Sequence, residues 1–223
     1  MTVADARQQI LAANQAAARS LRERFAEAGT LVVTLISSPG SGKTTLLATV
    51  ARRLAGRLRM AAIVGDIATE LDAERLRQAG LPAHQIVTGG SCHLDARMIE
   101  KALATANFGP LDLLFVENVG NLVCPANYDL GEAFKIVLLS VTEGTDKPFK
   151  YPGIFSKADV AVLTKMDLLP HVPFDVDAAT EQITILRPEA RILQVSSSTG
   201  LGIDEFVALL TEKVESCRAT ATR

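Results

Sequence analysis

The chain has 223 residues and carries 23 Lys+Arg against 25 Asp+Glu, a net charge of −2. Its length suits one α/β domain with a short appendage, large enough to bury roughly 70% of its extended surface without disulfide staples. The charge balance excludes general nucleic-acid or anionic-membrane binding, and the 48% hydrophobic content excludes a disordered chain. No apolar run approaches the roughly 18 residues of a membrane helix. Three sparse cysteines, Cys92, Cys124 and Cys217, form no disulfide framework and point to a reducing, cytoplasmic setting. The N-terminus lacks a basic start followed by an apolar core, so no secretory signal is expected.

Residues 4–27 are expected to form an N-terminal helix packed on the domain edge. Leu21 and Phe25 are four apart, and Ile10, Leu11, Ala17 and Ala18 continue that side loosely. Gly29-Thr30 ends it. Leu31 to Ile36 then reads as a buried strand, and after a Gly/Ser turn Thr44 to Leu58 reads as a helix. The alternation continues with strand Met60 to Val64, helix Thr69 to Ala79, strand Gln85 to Thr88, helix His93 to Thr105 and strand Leu111 to Val116. Ala133 to Val141, Val160 to Thr164 and Arg191 to Val195 are further strands, and Ala178 to Leu186 and Ile203 to Glu215 further helices. Strands apolar throughout, alternating with helices, predict an α/β fold with a mostly parallel central sheet flanked by helices on both faces. Ligands of such sheets lie at the carboxyl ends of the strands, and the motifs below fall just after predicted strands.

Ser37-Ser38-Pro39-Gly40-Ser41-Gly42-Lys43-Thr44-Thr45 sits between a strand and a helix and matches the phosphate-loop pattern except at Ser37, where Gly is usual. Ser37 must therefore accept whatever backbone angle the loop demands. Gly40 and Gly42 let the loop curl around Ser41 so that its amides, with the helix start at Thr44 and Thr45, face phosphate oxygens. Lys43 supplies a charge for the β- and γ-phosphates, and Thr44 a hydroxyl for Mg²⁺.

Thr164-Lys165-Met166-Asp167 resembles the guanine-specificity motif of GTPases, usually Asn-Lys-x-Asp. The Asp167 carboxylate would accept from guanine's ring N–H and exocyclic amine, a pattern adenine does not offer. The Lys165 stem can cover the base, while Thr164 stands in for Asn. Ser196-Ser197-Ser198 occupies the place of the GTPase Ser-Ala-Lys loop, without its lysine, so backbone contact alone is expected there. Glu117-Asn118-Val119-Gly120 stands where GTPases place Asp-x-x-Gly. Glu117 would hold Mg²⁺, through water given its longer arm, and the Gly120 amide would sense the γ-phosphate. Asp66 is a second Mg²⁺ candidate. Asp72 either positions the attacking water or is an acidic residue in the first turn of a helix.

Cys92-His93 and Cys124-Pro125 both fall at the carboxyl edge of the sheet. Two thiolates and one imidazole suit Zn²⁺ or Ni²⁺ but do not close a tetrahedron, so the fourth ligand would be water or a group from a symmetry-related subunit. Because Cys124 is tethered to Glu117 through Gly120, nucleotide state and metal affinity should be coupled reciprocally. Cys217 reads as structural or exposed, and His84 and His171 as ordinary residues.

The phosphate loop, Gly90-Ser91-Cys92-His93, Glu117 to Pro125 and Ser140-Val141-Thr142-Glu143-Gly144-Thr145-Asp146-Lys147-Pro148 together resemble the hydrogenase-maturation nickel-incorporation GTPase family, HypB. The resemblance runs from about the end of the first helix to about Leu210. It implies a P-loop GTPase that binds GTP or GDP with Mg²⁺ and dimerises with GTP. It implies metal at Cys92, His93 and Cys124, nickel delivery to the large subunit of [NiFe]-hydrogenase, and a HypA-type zinc/nickel partner. The domains would then be an N-terminal helix at 1–28, the GTPase domain with embedded metal site at 29–217 and a C-terminal tail at 218–223. Residues 1–36 hold no Cys or His, so the N-terminal nickel store of some relatives is not expected. No arginine finger is evident, so unaided hydrolysis should be slow. Lys147 either reaches across a dimer or is an exposed loop lysine. The rivals are a urease-type nickel GTPase, whose metal motif keeps Cys-Pro-His together, a small-molecule kinase, which Asp167 argues against, and a nickel store or scaffold indifferent to nucleotide.

Overall fold

Leu31–Ile36 (β1) is apolar or β-branched throughout, and all six residues are buried. It is the middle strand of a sheet completed by β2 (Met60–Asp66), β3 (Ala83–Val87), β4 (Leu113–Glu117), β5 (Phe134–Ser140), β6 (Val160–Thr164) and β7 (Arg191–Gln194). The order is β3-β2-β4-β1-β5-β6-β7, and every pairing is parallel. The molecule is a computed structural model describing residues 3–221. All carboxyl ends therefore open on one edge.

Side chains alternate between faces with the period of two that a strand imposes. Leu31, Val33 and Leu35 of β1, with Leu113 and Phe115 of β4, face one layer of helices: α2 (Lys43–Leu54), α3 (Leu71–Gln78) and α8 (Ile203–Ala221). Val32, Leu114 and Val116 face α1 (Val3–Glu27) and α4 (Ala96–Thr105). Farther along that face, Val137, Leu139 and Leu163 meet the short α6 (Pro152–Phe155) and α7 (Val176–Leu186). The remaining helix, α5 (Lys147–Lys150), is a single turn. No helix among the described residues is long and apolar enough to cross a membrane.

α1 buries Asn14, Ala18, Leu21 and Phe25, a stripe at helical spacing, over the sheet face rather than on the domain edge. Burying Leu21 and Phe25 contributes roughly 2–3 kcal/mol each. Asn14 adds direction: its carbonyl accepts the Ala96 N–H at 2.8 Å, and its amide donates to the Asp129 carbonyl at 2.8 Å. Ile10, expected on the packed side, is exposed.

Helix ends differ from expectation where a cap or a turn decides them. α4 starts at Ala96, not His93, because the Asp95 carboxylate caps the Met98 N–H. That leaves Cys92 and His93 on a loop. α2 stops at Leu54, not Leu58, because Ala55 leaves helical geometry at ψ 131°, although Leu58 still packs on the core. α3 begins at Leu71 rather than Thr69, since Asp66 ties the 67–69 backbone into a turn. β2 runs on to Asp66, and α8 continues through residues 218–221, expected as a tail. Residues 1, 2, 222 and 223 lie outside the described residues.

At the opposite edge, Asp112 fastens three elements. Its carboxylate accepts the Arg59 N–H at 2.8 Å and pairs with the guanidinium groups of Arg59 and Arg218 at 2.6 and 2.8 Å. The hydrogen bonds from Arg59, aided by Arg218, overcome burial and hold this carboxyl well below the usual carboxylate range. A depressed carboxylate stabilises the fold above its unfolded value of about 4 and loses that contribution as pH falls below it. Asp112→Asn should therefore lower the urea midpoint at pH 7, and the gap to the parent chain should narrow between about pH 5 and pH 2. A gap independent of pH would show that the ion cluster does not carry the effect.

Candidate functional site

The residues between β1 and α2 curl into the phosphate loop, with Gly40 at φ 75° and Gly42 at φ 98°, angles that L side chains resist. Ser37 is not among the residues at positive φ, so the position that usually carries Gly demands nothing a serine cannot supply. Its hydroxyl donates to the Ser38 carbonyl at 2.7 Å and accepts the Lys43 ammonium at 3.0 Å. Lys43 thus lies folded against its own loop. Ser41 is buried, with its hydroxyl 2.6 Å from Glu143 and 2.9 Å from the Ser38 carbonyl.

A cavity of about 350 Å³ opens over this loop, lined by Gly40, Gly42, Lys43, Thr44 and Thr45 and, from neighbouring elements, Asp66, Asp72, Arg75, Glu117 and Gly120. Glu117 closes β4, and its Oε1 accepts the Thr44 hydroxyl at 2.7 Å while its buried Oε2 has no protein partner. Burial pushes the Glu117 carboxyl up to about 7 against the opposing pull of Lys43 and Thr44. Burial likewise lowers the Lys43 ammonium, against the pull of Glu117, Asp72, Glu143 and Asp66. A buried lysine and a buried carboxyl with a vacant oxygen, beside a threonine hydroxyl, are the donor set for phosphate with a hard divalent cation. The Asp66 Oδ1 accepts the Ala68 and Thr69 N–H groups at 2.9 and 2.7 Å. Those bonds and the Thr69 hydroxyl outweigh burial and lower its pKa. Asp72 sits in the first turn of α3, one of the two expectations for it, and its side chain also lines the cavity.

The base-motif residues lie outside this cavity but are bonded to its floor. The Thr164 hydroxyl donates to the Ser41 carbonyl at 2.7 Å, so Thr in place of Asn still ties the motif to the phosphate loop. Lys165 adopts φ 59° and starts the 3₁₀ turn Met166–His171, which carries Asp167. The Ser196 hydroxyl donates to Asp167 Oδ1 at 2.5 Å, a side-chain role beyond the backbone contact expected of that loop. Ser197 is half-buried and Ser198 exposed.

Cys92, His93 and Cys124 converge, their ligand atoms all within 4.8 Å of one another. The two sulfurs are 2.7 Å apart, and His93 Nδ1 is 3.8 Å from Cys92 Sγ. The hydrogen bond with Cys124, then burial, raise the Cys92 thiol, and burial lowers the His93 imidazole, which stacks on Tyr128 at 3.8 Å between centroids. Two sulfurs and an imidazole at this spacing can chelate a soft or borderline divalent ion. Cys217 lies on α8, half-buried against the core of the opposite layer.

Two asparagines hold the metal loop to the end of β4. Asn118 Oδ1 accepts the Leu94 and Val119 N–H groups at 3.1 and 2.9 Å, and Asn121 donates to the Cys92 carbonyl at 3.2 Å. Between them, Gly120 lies against the phosphate loop: a Cβ there would stand 2.9 Å from Pro39 Cα. Asn118, Asn121, Glu143 and Arg75 had no assigned role in the sequence reading, and all but Arg75 sat inside motifs already conspicuous. Lys147 is not an exposed loop lysine: its amine lies 3.3 Å from Ser38 Oγ, 3.4 Å from Glu143 and over the Tyr151 ring.

Residues 3–194 match the family described as CobW/HypB/UreG, nucleotide-binding domain. The hydrogenase maturation factor HypB of Azotobacter vinelandii is 49% identical over 201 residues, which cover 90% of this chain and 66% of that protein. The chain thus spans about two thirds of that relative's length. The hydrogenase/urease maturation factor HypB of Helicobacter pylori strain J99 is 43% identical over 210 residues, 92% of this chain and 86% of that one. A crystal structure of HypB from Helicobacter pylori in complex with nickel superposes with a TM-score of 0.87 at 42% identity, over 91% of this chain and 95% of that one.

Truncating Asn118 to Ala would leave two N–H groups buried without an acceptor. The expected loss is about 2–4 kcal/mol of unfolding free energy, read from urea denaturation of the metal-free chain. A loss below about 0.5 kcal/mol would show that water replaces the side chain.

Proposed function

The chain belongs to the HypB maturation factors of the CobW/HypB/UreG nucleotide-binding family, and on that premise we propose that it is a GTP-hydrolysing metallochaperone. Its cargo would be nickel, its client the [NiFe]-hydrogenase large subunit, and its working form a dimer made when GTP binds. The observation that carries the reading is the contact chain from Pro39 to Gly120 and on through Asn121 to the Cys92 carbonyl. A γ-phosphate that draws in the Gly120 amide would pull the segment that ends at Cys124. Nucleotide state and metal affinity would then share one mechanical element, which a store indifferent to nucleotide does not need.

The roles divide by chemistry. The phosphate-loop amides and Lys43 would bind the β- and γ-phosphates, with Lys43 exchanging Ser37 for phosphate oxygen. Thr44, Glu117 and Asp66 would hold Mg²⁺, which when bound would neutralise charge on the β- and γ-oxygens. The vacant Glu117 Oε2 supports this, as an acceptor buried without a partner. Asp167, oriented by Ser196, would read guanine. Asp72 is the candidate for placing the attacking water. Cys92, His93 and Cys124 would hold nickel or zinc in transit, the fourth ligand coming from water or a second copy, and a HypA-type protein would hand the metal on. The free thiols support a cytoplasmic setting. The name of the Helicobacter relative, hydrogenase/urease maturation factor, supports urease as a second client.

The direct test titrates the metal-stripped chain with nickel in GDP and in a non-hydrolysable GTP analogue, with molar mass followed by light scattering. Nickel affinity should differ by roughly 5-fold or more between nucleotides, with a larger mass in the analogue, and metal binding should vanish in Cys92→Ala and Cys124→Ala. Equal affinity and mass in both would move the store or scaffold reading to the front. Base recognition has its own test. Asp167→Asn replaces one acceptor with a donor, which opposes guanine and matches the carbonyl of xanthine. GTP affinity should fall by about 100-fold and XTP affinity should rise. Unchanged preference for GTP would remove Asp167 from base reading.

A further inference from the structure

The cavity over the phosphate loop has a second cation besides Lys43. Arg75, one turn into α3, projects onto its rim. The guanidinium is 3.1 Å from the Thr45 hydroxyl and 3.3 Å from Asp72 Oδ1. It is close enough to act electrostatically on Glu117, the buried carboxyl beside Thr44. Neither hold is strong. Arg75 is 56% exposed and Asp72 34%, and ion pairs that open to water are worth about 0–1 kcal/mol. A bidentate, charge-assisted guanidinium to phosphate contact would replace a single contact to Asp72 at 3.3 Å.

The other groups at the cavity are committed. Lys43 rises from the floor, Asp66 caps its own turn, and Glu117 faces Thr44. A triphosphate seated on the loop would add several negative charges to the cavity that Lys43 and Arg75 both line. During hydrolysis the water oxygen bonds to the γ-phosphorus, the bond to the bridging oxygen breaks, and the released proton ends on inorganic phosphate. The charge that develops on the γ- and bridging oxygens is stabilised by positioned cationic donors.

We propose that Arg75 is a catalytic arginine supplied by the same chain, which leaves Asp72 and Thr45 for the terminal phosphate of the bound nucleoside triphosphate. The exchange also frees the Asp72 carboxylate at the moment the γ-phosphate arrives. This rests on the nucleotide reading above and adds a residue that the sequence did not single out.

The experiment compares the parent chain with Arg75→Ala, Arg75→Lys and, as a control on the same helix, Arg77→Ala, whose guanidinium bonds the Ala83 carbonyl instead. It measures affinities for GDP and a non-hydrolysable GTP analogue, and the single-turnover rate with GTP at concentrations where all four chains have equal molar mass. Arg75→Ala should keep GDP affinity within about twofold, lose preference for the triphosphate, and slow hydrolysis roughly 10- to 100-fold. Arg75→Lys should recover part of the triphosphate preference without the rate, and Arg77→Ala should match the parent. These readouts separate the proposal from a structural role, which would move GDP and triphosphate affinity together. An Arg75→Ala chain with the parent's rate and triphosphate preference overturns the proposal and leaves the GTPase reading intact. A parent chain that hydrolyses no GTP overturns both.

Discussion

The contact on which the site depends is the approach of Gly120 to Pro39, so close that a single methyl would stand 2.9 Å from Pro39 Cα. It makes the phosphate loop and the segment leading to Cys124 two sides of one wall. Close-packed interiors transmit displacement because there is no void to absorb it. The order of the sheet makes that approach possible. β4 lies directly beside β1, so the loop that follows β4 must leave the sheet alongside the loop that follows β1. β2 lies on the other side of β4 and brings Asp66 and α3 to the same opening.

The second constraint is electrostatic. Lys43 and Glu117 are both buried, and burial drives each toward its neutral form: the lysine down, the carboxyl up. Their mutual attraction and the carboxylates around Lys43 offset part of that cost. No direct ion pair joins them: Lys43 bonds Ser37 and Glu117 bonds Thr44. A phosphate would favour the charged lysine and a divalent cation the charged carboxylate. The two ligands therefore relieve opposite halves of one strain and should bind more tightly together than apart.

The fold was legible in the sequence to the extent that it depends on period. Strands such as Leu113–Glu117 are apolar runs between turn signals, and helices such as α8 carry their stripe in the chain itself. Boundaries failed where one side chain decides them: Asp95 delays α4, and Asp66 delays α3. The phosphate loop and the Cys-His pair were legible because their spacing is local. Thr164 was read as a substitute for Asn, but its bond to Ser41 spans 123 positions and exists only once β6 and the loop after β1 share an edge. Arg75 lay further from view, since nothing around it in the helix Leu71–Gln78 marks one arginine over the other.

The rim of the site is built differently from its floor. On the floor, Ser41 and Thr164 hold the loop through bonds of 2.6 and 2.7 Å that would be expensive to exchange. On the rim, two cations rest on acidic neighbours at longer range, Arg75 on Asp72 at 3.3 Å and Lys147 on Glu143 at 3.4 Å, the first touching Thr45 and the second Ser38 of the loop. Polyanion binding would not need to break the floor. Besides trading the Lys43 contact to Ser37 for phosphate, it would need to draw each rim cation from its carboxylate, and each cation that moves uncovers an acid. A site made this way can keep its phosphate geometry fixed while the charge pattern around it changes with the number of phosphates. Surface charge pattern is what a second copy of the chain meets first.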